Sequence, residues 1–333
     1  VFGGQDMAYL NELIDQRAID YIITLWDIWL LDGKRKFPKD KWVAYVPTDT
    51  NEMSKVLATV VKETGLQLAM SKHGLASMRR AGFEPLYVPH GVDMEMLRPD
   101  EAGRAAFRKH FGWDDDTFVI GSVGLNYRDD RKGFIPLMHA FREFHERHPK
   151  SRLYIHTNAG LKGEDTIPFS RIANDFGIGE WVGWPHQMSL NMGLIDEDWL
   201  RSIYNGFDVF CLPTRGEGFG IPTVDAQACG IPVIVSNNTT GPELCKAGWL
   251  IDVDDDDLRW LMNGAWRYEP RMSAVLARLE ESYDLWQDKA AWAYLKNQAR
   301  RGVAEYDWPV VWDKYWRPVL RVLEERLGRQ AQG

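Results

Sequence analysis

The sequence predicts an α/β protein with two parallel sheets, each covered by helices on both faces. The chain has 333 residues, which suits two domains at about 150 residues each. Short apolar runs alternate with helical patterns along most of its length, the order that builds parallel sheets. These runs outnumber the strands that one sheet holds comfortably.

In the first part the strand candidates are Tyr21–Leu25, Trp42–Tyr45, Leu66–Met70 and Leu86–Val88. In the second they are Phe118–Val123, Arg152–His156, Trp181–Val182, Val209–Leu212, Pro232–Val235 and Trp249–Ile251. Helical patterns lie between them. In Phe134–His148, Leu137, Phe141 and Phe144 share one face, and Pro136 falls near the start, where proline is tolerated. A linker runs from Pro89-His90-Gly91-Val92-Asp93 to Pro99-Asp100, and a new helix follows from Glu101. The tail reads as strongly helical from Asp257 to about Leu327, with Asp254 to Asp257 as its acidic cap. After Pro309 a last helix carries Val310, Val311, Tyr315, Val319 and Val322 as an apolar stripe. The expected units are residues 1–95, 96–308 and a final helix, 309–333.

Hydrophobic residues make up 45% and charged residues 26%, which excludes a disordered, collagen-like or coiled-coil chain. The net charge of −8 argues against general nucleic-acid binding. The apolar stretch Tyr21–Leu31 is interrupted by Asp27 and is too short to span a bilayer. No leader pattern is visible in the first residues. Cys211, Cys229 and Cys245 lack the spacing of a disulfide framework or zinc site. The expectation is a cytoplasmic protein with at most peripheral contact at the inner membrane face. Lys34-Arg35-Lys36 with Trp26, Trp29 and Leu31 would be the place for such contact, although solvated loop charge explains them better.

Two stretches could carry chemistry. Pro213-Thr214-Arg215-Gly216-Glu217-Gly218-Phe219-Gly220 leaves a buried strand and enters a helix. Its glycines let the backbone approach a ligand, and the helix start offers free N–H groups. Glu217 makes poor sense beside a phosphate but good sense as an acceptor for sugar hydroxyls. The other reading is a plain strand-to-helix turn with Glu217 solvated. The second stretch, Gly121 to Gly133, also joins strand to helix, with Arg128, Arg131 and Lys132 near the positive end of that helix. Cations there are unfavourable for the helix and sensible if an anion sits between them. The competing reading has Asp129 and Asp130 neutralising them in an exposed loop. Neither stretch fits G-x-G-x-x-G or a P-loop.

Together these stretches resemble the retaining GT-B glycosyltransferases of family 4, the glycosyl transferases group 1. The matching residues are Glu217-Gly218-Phe219-Gly220-x-Pro222 with Ala226, Ala228, Gly230, Pro232 and Val233. Lys132-Gly133, the linker Pro89 to Asp93, Tyr204 to Pro213, and Gly241-Pro242-Glu243 also match. The resemblance implies a GT-B-like fold of two Rossmann-like domains with parallel sheets. The N-terminal domain, at roughly 95 residues, is short or truncated against the usual size. The last helix would cross back onto it.

The resemblance also implies roles. Lys132 and an arginine, Arg128 or Arg131, would hold the diphosphate of a nucleotide-sugar donor. The family's Gly-Arg pair is absent, because Leu125 follows Gly124. Glu217 would contact the donor sugar, with Gly218, Phe219 and Gly220 close to it. Asp225 stands where the family's second acidic residue holds the ribose, one methylene shorter. Breaking the anomeric bond leaves negative charge on the diphosphate, which these cations stabilise. No cofactor and no metal are expected. Asp252 and Asp254 read as a helix start rather than a metal site. Asp49 could orient an acceptor hydroxyl or cap a helix near Glu52, and His73 is a second, weaker acceptor-side candidate. His90 reads as a turn residue and Cys229 as core. The function implied is retaining transfer of a sugar to an acceptor hydroxyl, whose carrier, glycan, lipid or other, stays open. The alternative is a catalytically impaired nucleotide-sugar-binding module.

Overall fold

The computed structural model describes residues 19–25, 37–127, 129–160, 166–261 and 264–330. The first sheet is parallel, in the order β1 (Ile22–Leu25), β2 (Trp42–Val46), β3 (Leu66–Ala69), β4 (Leu86–Tyr87). All five residues of β2 are buried, so the strand reads as a continuous apolar run without alternation. Side-chain caps start its helices: Ser54 accepts the Leu57 amide before Lys55–Val61, and Ser71 accepts the Gly74 amide before Lys72–Arg80.

The second sheet contains β5 (Phe118–Val123), β6 (Ser151–His156), β7 (Val182–Gly183), β8 (Val209–Leu212), β9 (Val233–Ser236) and β10 (Gly248–Ile251). Its order is β10-β9-β8-β5-β6-β7, all parallel. The chain therefore winds outward in one direction from β5 and in the other from β8. Loops that leave the carboxyl ends of these two neighbours diverge and open a crevice. A buried ion pair fixes the neighbours: Arg108 Nη2 lies 2.6 Å from Asp208 Oδ2, which also accepts the Val119 amide at 2.8 Å.

One apolar core runs through both halves, from Tyr45, Leu68 and Val88 to Phe118, Phe134 and Phe219. A smaller one, with Phe37, Trp42 and Val46, covers the other face of the first sheet. The linker and the returning chain meet in a parallel bridge, where Val92 N donates to Tyr306 O and Trp308 N to Val92 O.

The tail differs from the all-helical expectation. Leu258–Trp260 (β11) and Trp266–Tyr268 (β12) form an antiparallel pair, and helix begins only at Met272–Gln287. Pro270 explains this, because it holds Glu269 extended and lacks the N–H a helix interior needs. Asp254 caps a single short turn, Asp255–Asp257, instead of a helix. Arg271 pairs with Asp254 and Asp257, and Arg278 with Asp252, so these acids serve the tail's own packing. After Trp308–Val311 the helix widens by one residue over Trp312–Trp316, next to Pro318, which has no N–H for the Lys314 carbonyl. It then continues as Arg317–Gln330 and crosses onto the first sheet. There Tyr21 Oη donates to Leu323 O at 3.1 Å and Arg326 Nη1 to Gly65 O at 3.1 Å. Among the described residues no helix is long and apolar enough to cross a membrane. The Lys34–Lys36 run with Trp26, Trp29 and Leu31 lies outside the described residues.

Candidate functional site

The loops after β5 and β8 meet in the crevice. Gly133 makes the meeting possible. Its φ is 73°, and a Cβ there would lie 1.9 Å from the Pro213 carbonyl oxygen. Asp130 caps the following helix, its two carboxylate oxygens accepting the Phe134 and Ile135 amides at 2.9 and 3.0 Å. Burial pushes its carboxyl up to about 6 despite those bonds. Asp130 is therefore no exposed neutraliser of the loop's cations. That reading is corrected by its burial and by its commitment to the helix.

The cations turn instead to Glu217. Lys132 Nζ lies 2.7 Å from Glu217 Oε1, and Arg131 Nη1 lies 3.3 Å from Oε2. Thr214 Oγ1 donates to Oε1 at 2.9 Å, and Thr239 Oγ1 accepts the Glu217 amide at 3.1 Å. Arg131 Nη1 also donates to Gly216 O at 2.8 Å. Lys132 and Glu217 are only 8% and 7% exposed, so this is a buried pair and not a solvated loop contact. Burial alone would raise the Glu217 carboxyl. The Lys132 and Arg131 charges outweigh it and hold the group down at about 2. Glu217 is thus a fixed carboxylate at neutral pH. It can accept hydrogen bonds but cannot donate a proton.

Gly218, Phe219 and Gly220 carry the loop into the helix Ile221–Ala228. A Cβ on Gly218 would lie 2.7 Å from Pro47 Cβ, and one on Gly216 would lie 2.0 Å from Asp49 O. The loop therefore packs directly against the Pro47–Asp49 segment of the other half. Phe219 is buried, with its ring 5.2 Å from His90 and 5.6 Å from Tyr306. His90 is thus a packing residue between the linker and this loop, and burial pushes it down to about 4. Gly220 adopts a φ of 106° at the helix start.

Asp225 is separate from this cluster. It lies within the helix, and Tyr204 Oη donates to its Oδ2 at 3.4 Å. Burial pushes its carboxyl up to about 7. Asp49 joins the cluster, 3.7 Å from Arg131 Nη1. It caps no helix, because Ser54 fills that role. His73 lies in the helix Lys72–Arg80, where its Nε2 donates to Thr50 O at 2.8 Å and burial lowers its pKa. It steadies the Asp49 loop from behind. Arg128 lies outside the described residues.

Several residues of the site escaped sequence reasoning. Thr214 and Thr239 hold Glu217 but carry no charge to attract notice. Arg267, whose guanidinium bonds the Asp49 carboxylate, lies in a segment whose sequence reads as helix. Glu243 lay in a matched motif without a role, yet it accepts Lys72 N at 2.6 Å and Tyr87 Oη at 2.8 Å from the other half. Among the described residues no group of three or more His, Cys, Asp or Glu could hold a metal ion.

A doubly wound pair of sheets with a carboxylate held by cations at the switch point defines a class of ligand-binding α/β protein. Residues 117–260 match the family described as Glycosyl transferases group 1. It is 32% identical over 213 residues to the GDP-mannose-dependent alpha-(1-6)-phosphatidylinositol monomannoside mannosyltransferase of Mycolicibacterium smegmatis. That match covers 60% of this chain and 52% of the relative, so the chain spans about half the relative's length. Sucrose-phosphate synthase from Thermosynechococcus elongatus superposes with a TM-score of 0.69 at 18% identity, over 98% of this chain and 77% of that one. HepE of Anabaena, in complex with UDP and glucose, gives 0.69 at 14% identity, over 98% and 84%. The fold is GT-B.

Proposed function

We propose that the chain is a retaining, metal-independent glycosyltransferase that moves a sugar from a nucleotide-sugar donor to an acceptor hydroxyl. One observation carries this reading: the buried Lys132–Glu217 pair at the carboxyl ends of β5 and β8, with Arg131 beside it. Fixed cations and a fixed carboxylate within one cluster suit a ligand that is anionic at one end and hydroxylated at the other. As the anomeric bond breaks, Lys132 and Arg131 take up the charge growing on the diphosphate. Glu217 accepts hydrogen bonds from the sugar hydroxyls and faces the positive charge growing on the ring. The sugar's leaving phosphate, and not Glu217, receives the acceptor proton. The acceptor enters from the side of Pro47–Asp49, which the glycines of the Glu217 loop touch. Free Cys211, Cys229 and Cys245 suit a cytoplasmic setting, with peripheral membrane contact if the acceptor is a lipid, as the named mannosyltransferase's acceptor is.

The test is calorimetric titration with UDP, GDP, ADP and dTDP, repeated on Lys132→Ala. Binding of one nucleotide, lost in the variant, identifies the donor base and justifies a donor screen. Binding of none by a folded chain removes the proposal.

A further inference from the structure

β12 lies along the Asp49 segment, and the Asn51 amide donates to the Trp266 carbonyl at 2.9 Å. The next residue, Arg267, reaches three oxygens. Its Nε donates to Asp49 O at 3.2 Å, its Nη2 bonds the Asp49 carboxylate, and its Nη1 lies 3.3 Å from Asp129 Oδ2. Arg131 Nη1 approaches the same Asp49 oxygen at 3.7 Å. One carboxylate oxygen thus stands between two guanidinium groups, and one of these also touches Glu217.

Lys132, Arg131 and Arg267 converge from the β5 loop and the β11–β12 hairpin. Glu217, Asp49 and Asp129 balance them. A diphosphate brings at least two further negative charges, so a carboxylate must yield to admit it. The three are not equally held. Glu217 is gripped by Lys132, Arg131, Thr214 and, through its amide, Thr239. Asp129 accepts the Arg131 amide at 3.1 Å inside the donor loop. Asp129 is the most exposed, at 39% of its side chain, but stays with its loop through that bond; the Asp49 carboxylate, 23% exposed against 10% for Glu217, meets the two arginines from the other half of the molecule. Asp49 is the one that can leave.

We propose that Arg267 is a third cation of the diphosphate site and that the Asp49 carboxylate occupies that site until the donor arrives. The inference rests on the donor-site reading above. Arg267 stays in place when Asp49 departs, because the Trp266 carbonyl pins β12 and Asp129 holds the other side of its guanidinium. Donor binding then frees Asp49 on the acceptor side of the cleft, which makes the order of binding donor first.

The experiment compares the wild-type chain, Asp49→Asn, Arg267→Gln and the double variant by calorimetry. The probes are UDP, UMP and uridine, and GDP, GMP and guanosine. Asp49→Asn is expected to tighten diphosphate binding about ten-fold, and Arg267→Gln to weaken it about ten-fold or more. Nucleoside binding stays unchanged in both. The gain from Asp49→Asn shrinks when residue 267 is already Gln, because the two sites are coupled. Arg267→Lys, which keeps a charge in a less disruptive side chain, falls between. Weaker or equal diphosphate binding by folded Asp49→Asn overturns the proposal. So does an Arg267→Gln loss that is the same for nucleoside and diphosphate, which marks Arg267 as a packing residue alone. If wild type binds nucleotide through Lys132 and both variants match it, only this inference fails. If wild type binds none of these and neither ADP nor dTDP, the donor reading fails and takes the inference with it.

Discussion

Glu243 and Tyr87 join the two halves of the molecule: the Tyr87 hydroxyl on β4 donates to Glu243 Oε1 at 2.8 Å. The other Glu243 oxygen accepts the Lys72 amide at 2.6 Å and so meets the positive end of the helix Lys72–Arg80. Burial and the Glu243 charge push the Tyr87 hydroxyl far above its usual range, which keeps it a donor at any working pH. Tyr87→Phe is therefore expected to cost about 1.5–3 kcal/mol, the range for a hydrogen bond to a charged group. Urea unfolding measures it, and a change within error would mean that this hydrogen bond adds no net stability to the join between the halves.

Glu217→Gln keeps the shape of the side chain and removes its charge. Transfer is expected to fall about 10²-fold or more, as for other groups aimed at developing charge. Nucleoside diphosphate binding should persist, because Lys132 is then released from its partner. Unchanged transfer with the donor that titration identifies would remove Glu217 from the site.

The raised Asp225 carboxyl makes a pH prediction. The unfolded chain loses this proton near 3.8 and the folded chain near 7. Between those values the folded state binds more protons, so this group's contribution to stability falls as pH rises through the window and levels off above it. Asp225→Asn removes that dependence. Its melting temperature relative to wild type should climb from pH 4 to pH 8. A flat difference across that range would mean an ordinary carboxyl, open to water.

Gly216→Ala tests the contact between the halves. The added Cβ would meet the Asp49 carbonyl oxygen at 2.0 Å, and a backbone atom can yield only by moving its loop. A loss of about 1–3 kcal/mol is expected. Hydrogen exchange should rise in the Asp49–Asn51 segment. Wild-type exchange there would show that the two loops can part freely.

Much of the fold was legible because buried parallel strands are continuous apolar runs. Phe118–Val123 and Val209–Leu212 were read at their observed bounds for that reason. The Lys132 and Glu217 loops were legible because glycines, charges and a following helix stood together in sequence. What stayed hidden depends on distant pairing. Tyr87 and Glu243 lie 156 residues apart. Arg267 and Asp49 lie 218 apart, and Arg267 was masked further by reading Asp257 onward as helix. Pro270 was the signal against that reading. Asp130 looked like a surface neutraliser because a helix cap and a loop carboxylate share one sequence pattern.

The crossing of Arg317–Gln330 onto the first sheet has a consequence for how the chain is made. Gly65 emerges from the ribosome 261 residues before Arg326, its partner. At about 5–20 residues per second that is a delay of roughly a quarter of a minute to a minute. During it the second sheet can complete itself, whereas the first waits with one face uncovered. The half of the molecule that is synthesised first is thus the half that matures last, and it is the half a chaperone would shelter.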